Sequence, residues 1–230
     1  MAKRFAAHFG NLDNLSQLAS MGFNEAGLVY PWDGTGVAAG TAAAIHRAGI
    51  PTAVFSTLND VSTAVTQPNA AGAPYAGYFS ALASSGWDCI AGEGCGGSVV
   101  GTAANYCTYI NYGLLDITSA LFGEQVNMYA APWNHPVGGH WDYIQTYDGQ
   151  NGLTVLSTLD CLSAAVTAGA RHLGILIQYP NPLGFAANYM NIIDQGGCDT
   201  ICFWGDSNTL SSSCVDLAQE LIQHYGGASK

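Results

Sequence analysis

The chain is 230 residues long and 49% hydrophobic, and only 9% of it is charged, with 16 acidic residues against 5 basic ones for a net charge of −11. So few cations cannot neutralise a run of phosphates, which excludes nucleic acid as a partner and disfavours phosphorylated metabolites. No segment approaches the ~20 uninterrupted apolar residues of a membrane helix, so no membrane insertion is expected, and the length suits one compact domain spanning 1–230.

A recurring unit runs along the chain: a helical stretch, a glycine, a few polar residues, then an apolar strand. Arg4–Gly10 reads as the first strand. Asp13–Met21 reads as a helix, with Leu15, Leu18 and Met21 at three-residue spacing and Gly22 as its stop. Glu25–Tyr30 is the second strand and leads to Trp32 and Asp33. The Ala-rich segment 37–48 is a helix stopped by Gly49, and Pro51–Ser56 is the third strand. A loop over 67–74, made of Gln, Pro, Asn, Ala and Gly, precedes a helix over 75–85 that ends at Gly86.

Trp87–Glu93 is the fourth strand, and it closes on a carboxylate held between Gly92 and Gly94. Ser98 is placed to cap a helix through Tyr106 and Tyr109, and another helical piece follows over 115–122. Gln125–Trp133 is the fifth strand. After it the rhythm breaks: 141–148 reads either as a strand tipped by Asp148 or as a helical turn or two, in which case the sixth strand would be Leu153–Ser157. The pattern resumes with a helix over 159–168, a strand His172–Tyr179, a helix Ala186–Asp194, a strand Thr200–Asp206 and a closing helix Asp216–Tyr225.

About eight strands alternating with helices predict an α/β fold with a parallel sheet: a single (β/α)8 barrel of the TIM type, compact or irregular around strands five and six. A doubly wound open sheet carries the same local signals and is the alternative. In such a barrel the active site gathers the C-terminal strand ends. Those ends hold His8, Tyr30 with Trp32 and Asp33, Ser56, Glu93, Trp133 with Asn134, Asp148, Gln178 with Tyr179, and Trp204 with Asp206. Carboxylates supply proton transfer and aromatic faces stack on sugar rings, so this polar and aromatic ring suits carbohydrate.

On Glu93 and this ring the chain resembles the barrel glycoside hydrolases, many of which carry an acid/base Glu at the end of the fourth strand. The resemblance implies hydrolysis of a neutral glycan with no cofactor. Glu93 would be the proton donor, Asp148 or Asp206 the base or nucleophile, and His8, Tyr30, Trp32, Asp33, Trp133, Asn134, Gln178, Tyr179 and Trp204 the substrate contacts. Several of those enzymes place a second Glu after the seventh strand, where this chain has Gln178 and Tyr179. That departure supports a second reading, a non-catalytic barrel that binds a glycan or a protein.

Each residue also has a plainer role. Glu93 could be a solvated loop acid, Asp206 a helix cap, the tryptophans fillers between barrel and loops, and His8 a hydrogen-bonded core histidine. His135 and His140 have no carboxylate at ligand spacing, so no metal site is expected. Gly92–Gly97 matches G-x-G-x-x-G with Asp116 about twenty residues on, which is the pattern of a dinucleotide enzyme. The anionic Glu93 beside a pyrophosphate, the position in mid-chain and the abundance of glycine, 29 of 230 residues, count against it.

The seven cysteines, Cys89, Cys95, Cys107, Cys161, Cys198, Cys202 and Cys214, show no Cys-x-x-Cys pair. Cys198 and Cys202 would stand roughly 13 Å apart in an extended strand, too far to bond to each other. The low charge points to an extracellular or cell-surface protein; the start Met-Ala-Lys-Arg-Phe is followed by no apolar secretion segment, so an intracellular protein is the alternative.

Overall fold

In the computed structural model eight parallel strands close into a barrel in sequence order, β1 to β8, with β8 returning to β1. The structure describes residues 3–9, 13–30, 40–57, 84–93, 125–130, 143–147, 154–167, 172–178, 183–205, 210 and 212–226. The strands are β1 (Arg4–Phe9), β2 (Glu25–Tyr30), β3 (Thr52–Thr57), β4 (Cys89–Glu93), β5 (Gln125–Ala130), β6 (Tyr143–Tyr147), β7 (His172–Gln178) and β8 (Thr200–Gly205). The helices bounded among the described residues are α1 (Leu15–Met21), α2 (Thr41–Arg47), α3 (Val155–Thr167), α4 (Ala186–Gly196) and α5 (Ser212–Tyr225). The α/β barrel is therefore the fold, and closure excludes the open sheet.

Two of the ambiguities around the sixth strand resolve. Tyr143–Tyr147 is a strand, so the helical alternative for that stretch is wrong. The alternative sixth strand at Leu153–Ser157 is overturned over its described residues, because Val155 already begins α3, four residues ahead of the expected start at Leu159. The irregularity expected there is present as a register shift between β5 and β6 at Asn127 and Ala130. The expected helices over 75–85, 98–109 and 115–122 lie outside the described residues, apart from the last turn at Ser84 and Ser85.

Alternation along β1 shows how the strands divide the core. Phe5, Ala7 and Phe9 belong to the large cluster between sheet and helices, together with Leu18, Phe23, Ile45, Tyr189, Ile192, Leu217 and Leu221. Ala6 belongs to a small second cluster with Val54, Cys89, Leu176 and Cys202, which fills the inside of the barrel, and Trp204 packs against it. Side chains of one parity face the helices and those of the other face the lumen, as the period of two requires. Edge-on ring pairs, Phe23 with Phe203 at 5.8 Å and Phe55 with Trp87 at 5.4 Å, tie β8 and β3 to the segments around them.

Local chemistry sets the entry to β2. Gly22, at φ 99°, ends α1: its N–H bonds to the Ala19 carbonyl and that of Phe23 bonds to Leu18, each at 3.1 Å, a reversal that needs a left-handed residue. Asn24 then spans two strands, its Oδ1 accepting from the Phe5 N–H at 2.8 Å and its Nδ2 donating to the Lys3 carbonyl at 3.2 Å. The start of β2 is thereby pinned to the start of β1, and Glu25 comes into register with Ala6.

Candidate functional site

Parallel closure places the last residues of all eight strands at one end of the barrel. Tyr30 ends β2, Glu93 ends β4 and Gln178 ends β7. Glu93 pairs in register with Met128 of β5. His8 lies one residue inside the end of β1 and Trp204 one residue inside the end of β8. In register, His8 stands beside Trp204, and Trp204 beside Gln178. Three of the residues expected at the site thus form one rung across β1, β8 and β7. Glu93 is on β4, so two strands separate it from this rung in either direction around the barrel. Trp32, Asp33, Trp133, Asn134, Asp148, Tyr179 and Asp206 lie outside the described residues.

His8 has no solvent exposure, and beneath it is a charged group that strand-end reasoning missed. Its Nε2 lies 2.9 Å from Oε1 of Glu25, itself 1% exposed. The other carboxylate oxygen of Glu25 accepts from Nε of Arg4 at 3.0 Å and also from Nη2 of the same guanidinium. Arg4 and His8 share the lumen-facing parity of Ala6. Glu25 meets them because its register partner is Ala6, midway between the two.

Room for the imidazole comes from Gly27, the register partner of His8. A Cβ there would stand 2.5 Å from Cδ2 of His8 and 2.8 Å from Nε2, so any side chain would displace the ring. Burial pushes the Glu25 carboxyl up, but the hydrogen bond from His8 and the positive charge of Arg4 outweigh it and hold the group below the ordinary carboxylate range. Glu25 is therefore an ionised acceptor. Cys202 adjoins the same lumen. Burial first, and then the Glu25 charge, push its thiol well up, and burial pushes Cys198 up to about 12. Both are inert thiols rather than nucleophiles.

A signal for the network was present in the sequence. Arg4 and His8 alternate with Phe5, Ala7 and Phe9, which puts two polar side chains on the face opposite the phenylalanines and requires a buried acid to meet them. Among the described residues no group of three or more His, Cys, Asp or Glu is placed to hold a metal ion. All five described cysteines, Cys89, Cys161, Cys198, Cys202 and Cys214, are unbridged and buried.

No family model matches the sequence, and no curated protein matches it. Solved structures do. The chain is similar to a D-allulose 3-epimerase from Methylomonas sp. at 12% identity, covering 97% of this chain and 98% of that one with a TM-score of 0.59. It is similar to a GH36 alpha-galactosidase from Geobacillus stearothermophilus in complex with stachyose at 10% identity and a TM-score of 0.61, over 98% of this chain and 42% of that one. It is also similar to a 3-keto-D-glucoside 4-epimerase from E. coli at 11% identity and a TM-score of 0.54, over 96% and 98%. These neighbours are barrel enzymes of different activities. At such identities the likeness shows the (β/α)8 fold.

Proposed function

We propose that the protein is an enzyme acting on a carbohydrate at the C-terminal end of the barrel, and that the reaction is hydrolysis of a glycosidic bond. The observation that carries this reading is Glu93 at the end of β4 in a closed parallel barrel, the end where such folds assemble their sites. Trp204, partly exposed and one residue inside the end of β8, adds an indole face, which suits stacking on a sugar ring. The neighbours named above act on or bind sugars by their names, which supports the substrate class more than the reaction.

Glu93 protonates the leaving oxygen, and Asp148 or Asp206 serves as base or nucleophile. Glu93→Gln preserves shape and removes the transferable proton. Against a panel of 4-nitrophenyl glycosides and neutral polysaccharides, the substrate turned over by the natural protein is expected to lose kcat by on the order of 100-fold or more in this variant. Unchanged hydrolysis by Glu93→Gln refutes the assignment.

A second reading has one specific observation in its favour. Gln178 ends β7, and a neutral amide is neither a nucleophile nor a general base. A non-catalytic barrel would use the same rung to bind a glycan. A glycan array in which Trp204→Ala abolishes a signal, alongside a hydrolysis panel that stays silent, selects that reading.

A further inference from the structure

An exposed aromatic stands at the rim of the barrel where neither the helix nor the core has a use for it. We propose that Phe185 is an outer sugar platform, on which a ring of a neutral glycan stacks where the chain passes out over the rim from the central site at Trp204. The inference rests on the reading of the C-terminal end as a carbohydrate site and deepens it: the ligand is an oligomeric or polymeric glycan rather than a single sugar.

Position is the first observation. Helices of a parallel barrel run opposite to its strands, so the N-terminus of α4 lies at the end where β7 and β8 finish. Phe185, the N-cap residue of α4, is 77% exposed there, on the unit next to the strand that carries Trp204. α4 also reaches further towards that end than α3 does. Its last residue, Gly196, abuts Leu159 and Leu162 of α3. At ~1.5 Å per residue Phe185 lies about 16 Å beyond that contact, and Val155 at the start of α3 only about 6–10 Å beyond it.

Residue type is the second. An N-cap is where a Ser, Thr, Asp or Asn oxygen accepts from the first turn, and Phe185 leaves α4 with no side-chain cap bond. Its ring is not packed into the core either, so the side chain serves neither the helix nor the interior. The mount is the third. The Leu183 N–H donates to Oη of the buried Tyr189 at 3.3 Å, and the Leu183 carbonyl accepts from Nδ2 of Asn188 and from the Phe185 N–H, each at 2.8 Å. The Phe185 carbonyl accepts from the Asn188 N–H at 2.9 Å. The backbone under the ring is thereby tied to the first turn of α4. An aromatic on a fixed turn loses little freedom when a ligand covers it. Residues 183–193 carry no charged side chain, so the stretch offers no counter-charge to an ionic ligand and suits the apolar face of a neutral sugar.

Affinity electrophoresis against xylan, galactomannan and mixed-linkage β-glucan identifies the polysaccharide that most retards the natural protein. Calorimetric titration with oligosaccharides of increasing length from that polysaccharide then gives the dependence on length. Affinity is expected to rise until the chain spans Trp204 and Phe185. Phe185→Ser is expected to lower the ratio of long-chain to short-chain affinity by roughly 2- to 10-fold, the range of one aromatic contact. Phe185→Tyr, which keeps the ring, is expected to restore the ratio, and Trp204→Ala to weaken long and short chains alike. Serine supplies the missing cap, so unfolding does not account for such a loss. An unchanged ratio in Phe185→Ser while glycan is still bound overturns the platform alone. Failure of Phe185→Tyr to restore the ratio overturns the stacking. A ratio that stays the same while Phe185→Ser lowers the oligomeric state in sedimentation gives the ring to a second copy of the chain and overturns the proposal. A natural protein retarded by none of the polysaccharides overturns the carbohydrate reading, and the platform with it.

Discussion

Replacing Glu25 with leucine should be among the most damaging single changes in the described part of the chain. Leucine fills most of the space but removes the carboxylate to which the Arg4 guanidinium and the His8 ring both bond. Removing one member of a buried ionic network costs roughly 3–5 kcal/mol, and because Arg4 is 27% exposed and can recruit water, the lower end applies, about 3 kcal/mol. For a chain of this length that is a fall in Tm of about 6–12 °C, read by circular dichroism.

The loss has a defined pH dependence. The folded Glu25 carboxyl lies below its reference value of 4.5, so its stabilisation is complete above that value and disappears as pH falls through the lower folded one. The gap in Tm between the natural protein and Glu25→Leu should therefore be constant from neutral pH to about pH 5 and narrow below it. A gap under about 1 kcal/mol, or one that persists undiminished at about pH 3, refutes the charged network. Adding Arg4→Met and His8→Leu to Glu25→Leu should recover part of the loss, because an apolar lumen of similar volume has no ion to desolvate.

Gly27→Ala should cost roughly 1–3 kcal/mol by displacing the His8 ring, and Gly27→Ala in a His8→Ala background should cost much less; equal costs in both, measured by urea unfolding, refute the contact. Gly196→Ala drives a Cβ to 2.3 Å from Cδ1 of Leu162 between α3 and α4, so it should destabilise by roughly 1 kcal/mol and be relieved by Leu162→Val, read by the same unfolding curves. Phe185→Ser, at a side chain 77% exposed that stands at the N-cap of α4 without a cap bond, should stabilise by roughly 0.5–1 kcal/mol, and a loss of stability would refute the cap assignment. Alkylation of the folded protein followed by peptide mapping should leave Cys198 and Cys202 unmodified until denaturant is added, and their labelling in the native state would contradict the burial that raises both thiols.

The barrel was legible because its punctuation is local. Gly22, Gly49 and Gly86 adopt the left-handed conformation, and each stands where a helical stretch hands over to a strand. The apolar runs between them are long enough to show their type without knowledge of their partners. The sixth strand was the exception. Tyr143–Tyr147 is five residues of mixed polarity, and its identity as a strand comes from pairing with His172–Leu176 of β7, a contact no local pattern encodes. At the site, strand ends could be located because β4 and β7 end where their apolar runs end. Glu25 could not be recognised that way. An acid at the start of a strand reads as solvated, and only the offset that sets it opposite Ala6 brings it between Arg4 and His8.

The seam between β8 and β1 has a kinetic consequence. It joins the two ends of the barrel, with Arg4 bonded to the Asp199 carbonyl at 2.8 Å and Lys3 reaching the Cys198 carbonyl, 195 residues away along the chain. Closing so long a loop comes at the largest entropic cost of any strand pairing in the fold, so this pairing should form late. Until it forms, β1 and β8 are both open edges, each able to accept a strand from another molecule. The yield of refolding from denaturant should accordingly fall as protein concentration rises, because a second chain competes for the position that the barrel's own last strand must take.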